Sequence, residues 1–166
     1  MSEVLVLIDH VDGAVRKPTY ELLTIAKRLG EPSAVFIGPS GKAAEVTEKV
    51  KAYGAEKVYV IDDAQIKGYL VVPKAETLAQ LAEKALSGGE GLAAILIPSS
   101  AEGKEIGARL SIKLASGLIT DAVDVAADGT ATQSVFAGNY TLTGKVTKGT
   151  PIITVKPNSA APEESA

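Results

Sequence analysis

A chain of 166 residues with 46% apolar side chains and a net charge of -3 is long enough to fold around one core, and it carries no cation excess with which to hold a nucleic acid. It has no cysteine, which excludes disulfides, thiolate nucleophiles and iron–sulfur ligation, so any redox role requires a bound cofactor. No apolar run reaches membrane-spanning length, and Met1-Ser-Glu-Val4 lacks the basic and apolar segments of a signal peptide; we therefore expect no membrane insertion and a cytoplasmic location.

Glu3-Val-Leu-Val-Leu-Ile-Asp9 is a continuous apolar run closed by an acid, the pattern of a strand covered on both faces in a parallel sheet. A helix follows, with Pro18 in its first turn, a stripe of Leu22, Ile25, Ala26 and Leu29, and Gly30 as its stop. Ser33–Ile37 reads as a second strand, Gly41–Tyr53 as a helix ended by Gly54, and Lys57–Ile61 as a third strand. Pro73–Leu86 is helical on the spacing of Leu78, Leu81, Ala82 and Ala85, and residues 92–97 form the next strand. This alternation predicts an α/β fold with an open, mainly parallel sheet in three layers.

After Gly117 the pattern becomes β-rich. Residues 118–127 and 131–137 flank the hairpin signal Ala127-Asp-Gly129, and Tyr140–Val146 and Ile152–Val155 give two more strands. Pro157–Ala166 has no apolar stripe and is expected to be a linker or disordered tail. The division is thus one domain over residues 1–157 and a tail over 158–166.

The turn from residues 92–97 into the next helix, Ile97-Pro-Ser-Ser-Ala-Glu-Gly103, has the position of a phosphate or nucleophile site. Ser99 and Glu102, however, form Ser-x-x-Glu, a capping box, which accounts for the serine without a ligand. Gly103, Gly107 and Ser111 recur every fourth residue, a bare helix face suited to close packing. Gly89-Glu-Gly91 precedes a strand where a dinucleotide motif must follow one, and Gly38-Pro-Ser-Gly41-Lys42 has two residues between its glycines where a Walker loop has four. Asp9-His10-x-Asp12 holds the only histidine among acids, and Asp62-Asp63 ends the third strand; both read as solvated or capping groups. No catalytic, cofactor-binding or metal-ligating residue is assigned.

Six segments in order resemble the amino-terminal domain of the electron transfer flavoprotein alpha subunit: Val4–His10, Pro18–Ala26, Pro98–Glu105 with Arg109, Gly117–Ala122, Phe136–Asn139 and Ile153–Pro157. The resemblance implies a Rossmann-like fold related to adenine-nucleotide-binding domains. It also implies an electron carrier, not an enzyme, that works as an alpha–beta heterodimer with FAD. Electrons would come from acyl-CoA and related flavin dehydrogenases of fatty acid β-oxidation and pass to a membrane quinone oxidoreductase of the respiratory chain. In that family the flavin ligands lie mostly in a second alpha domain and the beta subunit holds AMP, so none of the FAD site is carried onto this chain, and the isolated chain is expected to hold no cofactor. The alternatives are a stand-alone nucleotide-binding module of the universal-stress-protein kind and a purely structural interaction domain.

Overall fold

The computed structural model describes residues 1–63, 66, 69 and 71–165. Strand β1 (Glu3–Leu7) leads into a short hairpin, β2 (His10–Val11) with β3 (Ala14–Val15), in a stretch whose pattern is that of a loop. Then come α1 (Lys17–Leu29), β4 (Glu31–Ile37), a single 3-10 turn (Ser40–Lys42), α2 (Ala43–Ala52), β5 (Lys57–Ile61), α3 (Val72–Ser87), β6 (Leu92–Pro98) and α4 (Ala101–Lys113). The chain finishes through β7 (Leu118–Val125), β8 (Ala131–Val135), β9 (Tyr140–Gly144) and β10 (Ile152–Val155).

Among the described residues one sheet runs in the order β5-β4-β1-β6-β10-β7-β8-β9. All pairings from β5 to β7 are parallel, and β8 and β9 add antiparallel. The fold is therefore the expected α/β architecture, with one refinement. Ile152–Val155 is not the last strand of the β-rich finish; it turns back and inserts, fully buried, between β6 and β7. Ser116 and Gly117 anchor this return, since Ser116 Oγ accepts from Thr150 N at 3.0 Å and Gly117 N donates to Lys148 O at 2.9 Å.

Side-chain alternation explains why the central strands read as unbroken apolar runs. Val4 and Val6 join Leu22, Leu23, Ile25, Phe36 and Ile153 beneath α1 and α2. Leu5 and Leu7 point the other way, to Leu78, Ile95, Ile106 and Leu110 beneath α3 and α4. Each face buries its half of the central strands, so period two is invisible in their sequence.

Among the described residues no helix packs extensively on β8 or β9, and every residue of β9 is exposed. Their connection is tight: Phe136 O accepts from Asn139 N at 3.1 Å, and the central Ala137 and Gly138 have φ of 53° and 86°. Two left-handed central residues match the right-handed twist of a hairpin.

Candidate functional site

In a parallel sheet ligands gather at the carboxyl ends of the strands, where the strand order reverses. Here the reversal falls between β1 and β6. A cavity of about 130 Å³ opens there between Asp9, His10, Pro98, Ser100 and Glu102, and it shares His10, Ile37, Lys74 and Glu102 with a second of about 400 Å³ reaching the ends of β4 and β5.

The β2–β3 hairpin crosses this edge, and His10 is built into it. Its Nε2 donates to Ile37 O at 2.8 Å and its Nδ1 accepts from Gly13 N at 3.1 Å, so both nitrogens are committed to backbone and the tautomer is fixed. The ring also packs on Phe36 with centroids 4.7 Å apart. Asp9 pairs with Arg16 at 3.7 Å, and its amide donates to Thr19 Oγ1 at 2.8 Å. Among the described residues no group of three acidic or histidine side chains is placed to hold a metal ion. Among the described residues the larger cavity is lined by Asp12, Asp62, Asp63, Glu102 and Lys74, and Lys74 is paired with Glu102. Gly38, from the Gly-Pro-Ser-Gly stretch, is small because a Cβ there would meet Phe36 Cζ at 2.8 Å and His10 Cε1 at 2.9 Å. The stretch folds as a turn, with the single 3-10 turn Ser40–Lys42 at its end.

The turn after β6 differs from the capping-box expectation. Ser99 does not cap α4: its amide still pairs with Val155 O at 2.9 Å, so it belongs to the sheet. Ser100, with extended φ and ψ of -112° and 173°, is the cap, and its Oγ accepts from Gly103 N at 2.9 Å. Counted from Ser100 the reciprocal position is Gly103, which has no side chain to return, and Glu102 instead meets Lys74 on α3. The bare face of α4 does serve close packing. A Cβ on Gly103 would lie 1.9 Å from Pro98 O, and one on Gly107 would lie 3.1 Å from Leu118 Cδ1 and 3.4 Å from Thr154 Cγ2.

Released from capping, Ser99 enters a closed ring. Asp121 N donates to Thr154 Oγ1 at 3.0 Å, and Ser99 Oγ donates to Asp121 Oδ1 at 2.7 Å. Ser99 has then spent its one proton, so the 3.0 Å contact between Thr154 Oγ1 and Ser99 Oγ has threonine as donor. Asp121 adopts φ 56° to complete this ring, and the register of β10 against β7 shifts between Ile153 and Val155 beside it. A left-handed residue at a bulge re-aims its side chain, here toward Ser99 and toward Lys104 Nζ at 3.5 Å. The Ser99 hydrogen bond first, and then the charges of Lys104 and Lys156, hold the Asp121 carboxyl below the usual carboxylate range against the opposing effect of burial. Such a carboxylate is a poor proton acceptor. The ring thus fastens β6, β7 and β10 to one another.

Sequence reasoning singled out Ser99 but missed Asp121, Thr154 and Lys104. A signal existed, since Ser99, Asp121 and Thr154 fall in three separate segments of the family resemblance. Two others meet as well, through Asp9 and Thr19. These segments are fastenings between strands and helices, which is why none reads as a catalytic motif alone.

Comparison with known proteins gives a family model described as electron transfer flavoprotein domain, matching residues 4–166. The electron transfer flavoprotein subunit alpha of Mycobacterium tuberculosis is 41% identical over 166 residues, covering all of this chain and 51% of its own length. That of Syntrophomonas wolfei is 32% identical over 162 residues, covering 95% of this chain and 49% of its own. The lactate dehydrogenase (NAD(+),ferredoxin) subunit LctC of Acetobacterium woodii is 27% identical over 123 residues, covering 71% of this chain and 28% of its own. The chain spans about half the length of the subunit alpha relatives it matches.

Proposed function

This chain belongs to the electron transfer flavoprotein family, and we propose that it is the amino-terminal domain of an alpha-type subunit, acting as a docking scaffold in an FAD-carrying heterodimer that relays electrons from flavin dehydrogenases toward the respiratory chain. The bare antiparallel end of the sheet is the observation that carries this reading. Phe136, Tyr140 and Leu142 are 76%, 63% and 51% exposed, Phe136 and Tyr140 meet edge to face at 5.6 Å, and no charged residue occurs from Gly129 to Gly144. An edge strand without charge, proline or helix cover invites a partner.

FAD supplies the reversible electron-accepting chemistry of such a heterodimer. Among the described residues the carboxyl-edge crevice is a poor match for it: the flavin dinucleotide carries an anionic pyrophosphate, and the larger cavity is lined by the carboxylates of Asp12 and Glu102, with Lys74 already paired to Glu102. The β2–β3 hairpin also stands where a glycine-rich phosphate turn would enter α1. The described residues therefore support a flavin site outside this chain and a carrier role for it. The same crevice argues against the nucleotide-module alternative. No described helix is long and apolar enough to cross a membrane, so contact with a membrane quinone oxidoreductase would be made by docking.

The test is to mix the purified chain with the beta subunit of its own system and measure mass by light scattering, with visible absorbance recorded on each component. We expect a one-to-one complex and a colourless isolated chain. No complex at any concentration, or stoichiometric flavin absorbance on the chain alone after gel filtration, would overturn the scaffold reading.

A further inference from the structure

Residues 158–165 do not leave the domain where β10 ends. They run back along α1 toward the opposite edge of the sheet, held at successive points. Asn158 N donates to Glu21 Oε2 at 2.8 Å, and Lys17 Nζ donates to Asn158 Oδ1 at 2.9 Å while lying 3.1 Å from Glu21 Oε1. Asn158 has φ 63°, which turns the chain onto the helix, and Ala160 packs against the core beneath α1. Further on, Glu163 N donates to Thr24 Oγ1 at 3.0 Å, and Ser165 N donates to Ala52 O at 2.7 Å beside the Lys27 contact to Ser165 Oγ. Ser165 then lines an open groove with Met1, Gly30 and Glu31 at the amino edge of the strands.

Glu21 is the unusual member. Its side chain is 2% exposed, and it is the one carboxylate among the buried residues of α1, whose other members are apolar or threonine. A buried carboxylate is tolerated only when paired and hydrogen-bonded, and one of its two partners here is the tail's own backbone. Opening the tail would leave it with Lys17 alone, so helix and tail hold each other.

We propose that residues 158–165 are a latched strap, closed by Glu21 and Thr24, which moves the swivel point of any segment joined to it from Pro157 at the carboxyl edge to Ser165 at the amino edge. This rests on the reading of the tail as an interdomain linker. It assigns Glu21 and Thr24, both in the Pro18–Ala26 segment of the family resemblance, a positioning role: they fix where the rest of the subunit begins relative to the docking end of the sheet.

The amide donors of the strap are their own reporters, and the absence of cysteine makes site-specific labelling clean. Residue-resolved hydrogen exchange on the isolated chain should find the amides of Asn158, Glu163 and Ser165 protected. Spin labels on Ala161→Cys and Glu48→Cys should give a narrow distance distribution. Glu21→Leu should speed exchange at Asn158 by about tenfold or more and broaden the distribution, with β1 and β6 amides unchanged, while Glu21→Gln, which keeps an acceptor, should recover much of the protection. Should Glu21→Leu fail to fold, Thr24→Val reports instead, through faster exchange at Glu163. A wild-type tail exchanging at unprotected rates with a broad distribution would overturn the strap, as would variants that fold and leave both readouts unchanged. Neither readout needs a partner or flavin, so a free tail in a chain that still binds a beta subunit would sink the latch and spare the scaffold reading.

Discussion

From β4 to β10 the strands are sealed between two helical layers and offer almost no side chain to solvent, and β7 still packs against α4, whereas β8 and β9 beyond it run antiparallel and every residue of the last strand is exposed. The sealed part is rich in close approaches that leave no slack. Gly103 sits against Pro98 O, Gly107 against Leu118 and Thr154, and three hydroxyl and carboxylate groups close a ring across strands. At the bare end a Cβ on Gly144 would meet only Ile119 Cδ1, at 3.9 Å, an ordinary contact. One region is over-determined internally and the other is left to be completed from outside. On the scaffold reading proposed above, the body keeps its shape and the bare end gains its packing from a partner.

The sharpest way to break that contrast is one substitution made at both ends. Gly103→Ala puts a methyl 1.9 Å from a backbone carbonyl, so α4 must shift off β6. The helix-propensity gain of about 1 kcal/mol is overwhelmed, and we expect a net loss of about 3 kcal/mol, roughly 10 °C in Tm. Gly144→Ala should stay within about 0.5 kcal/mol of wild type. Thermal and urea unfolding of the two variants decide this; equal effects would mean that the bare end is packed after all.

Next in size is Asp121. Asp121→Ala removes the acceptor of Ser99 and the partner of Lys104, and leaves alanine at φ 56°, for an expected loss of about 2 kcal/mol. The pH dependence sharpens it. A carboxyl held below its unfolded value stabilises the fold fully above the unfolded carboxylate range and loses that contribution as pH falls through the lowered folded value. The stability gap between wild type and Asp121→Asn should therefore be constant near neutrality and close below about pH 4. A gap that persists into acid would show that the carboxylate charge is not what holds the ring.

The contrast also explains what could be read beforehand. Helix stripes and apolar runs carried the α/β alternation because each is a local pattern, and Ala127-Asp-Gly129 marked its hairpin because the turn chemistry is local too: Gly129 has φ 85° and Asp128 Oδ1 accepts from Thr130 N at 2.9 Å. The return of β10 into the sheet was not legible. Four buried residues, Ile152-Ile-Thr-Val155, look alike whether they sit at an edge or in the centre, and the choice depends on Ser116 and Gly117 more than thirty residues away. Two adjacent serines made the cap ambiguous by one position, and only the pairing of Ser99 N with Val155 O selects Ser100. The ring partners of Ser99 lie 22 and 55 residues along the chain, beyond any spacing rule. In the tail, polar composition suggested a linker, but composition cannot reveal that a buried glutamate on α1 receives its backbone.

That one-residue correction yields a smaller effect. Ser100→Ala should cost about 1 kcal/mol through the lost bond from Gly103 N, with helix α4 fraying from its first turn. Exchange of the Gly103 amide measures it directly. Should Gly103 stay protected in Ser100→Ala and lose protection in Ser99→Ala, the cap would belong to Ser99 as the sequence pattern suggests.

The smallest expected change in stability carries the most about function. Leu142 is half exposed on β9, opposite Gln133, in a stretch without any charge. Leu142→Lys removes no core contact, so unfolding free energy should stay within about 0.5 kcal/mol of wild type. The same lysine would place an unpaired ammonium inside any interface built on β9, where desolvating a charge without a partner is costly, and lysine on an edge strand opposes pairing with another strand. Affinity for the beta subunit should therefore fall by tenfold or more, about 1.4 kcal/mol, while a control at an exposed position of the body, Glu48→Lys on α2, leaves it unchanged. Calorimetric titration of both variants against the beta subunit separates the outcomes. Unaltered binding by Leu142→Lys would move the docking surface off the bare end, and a large loss of folding stability would mean that β9 is part of the sealed body.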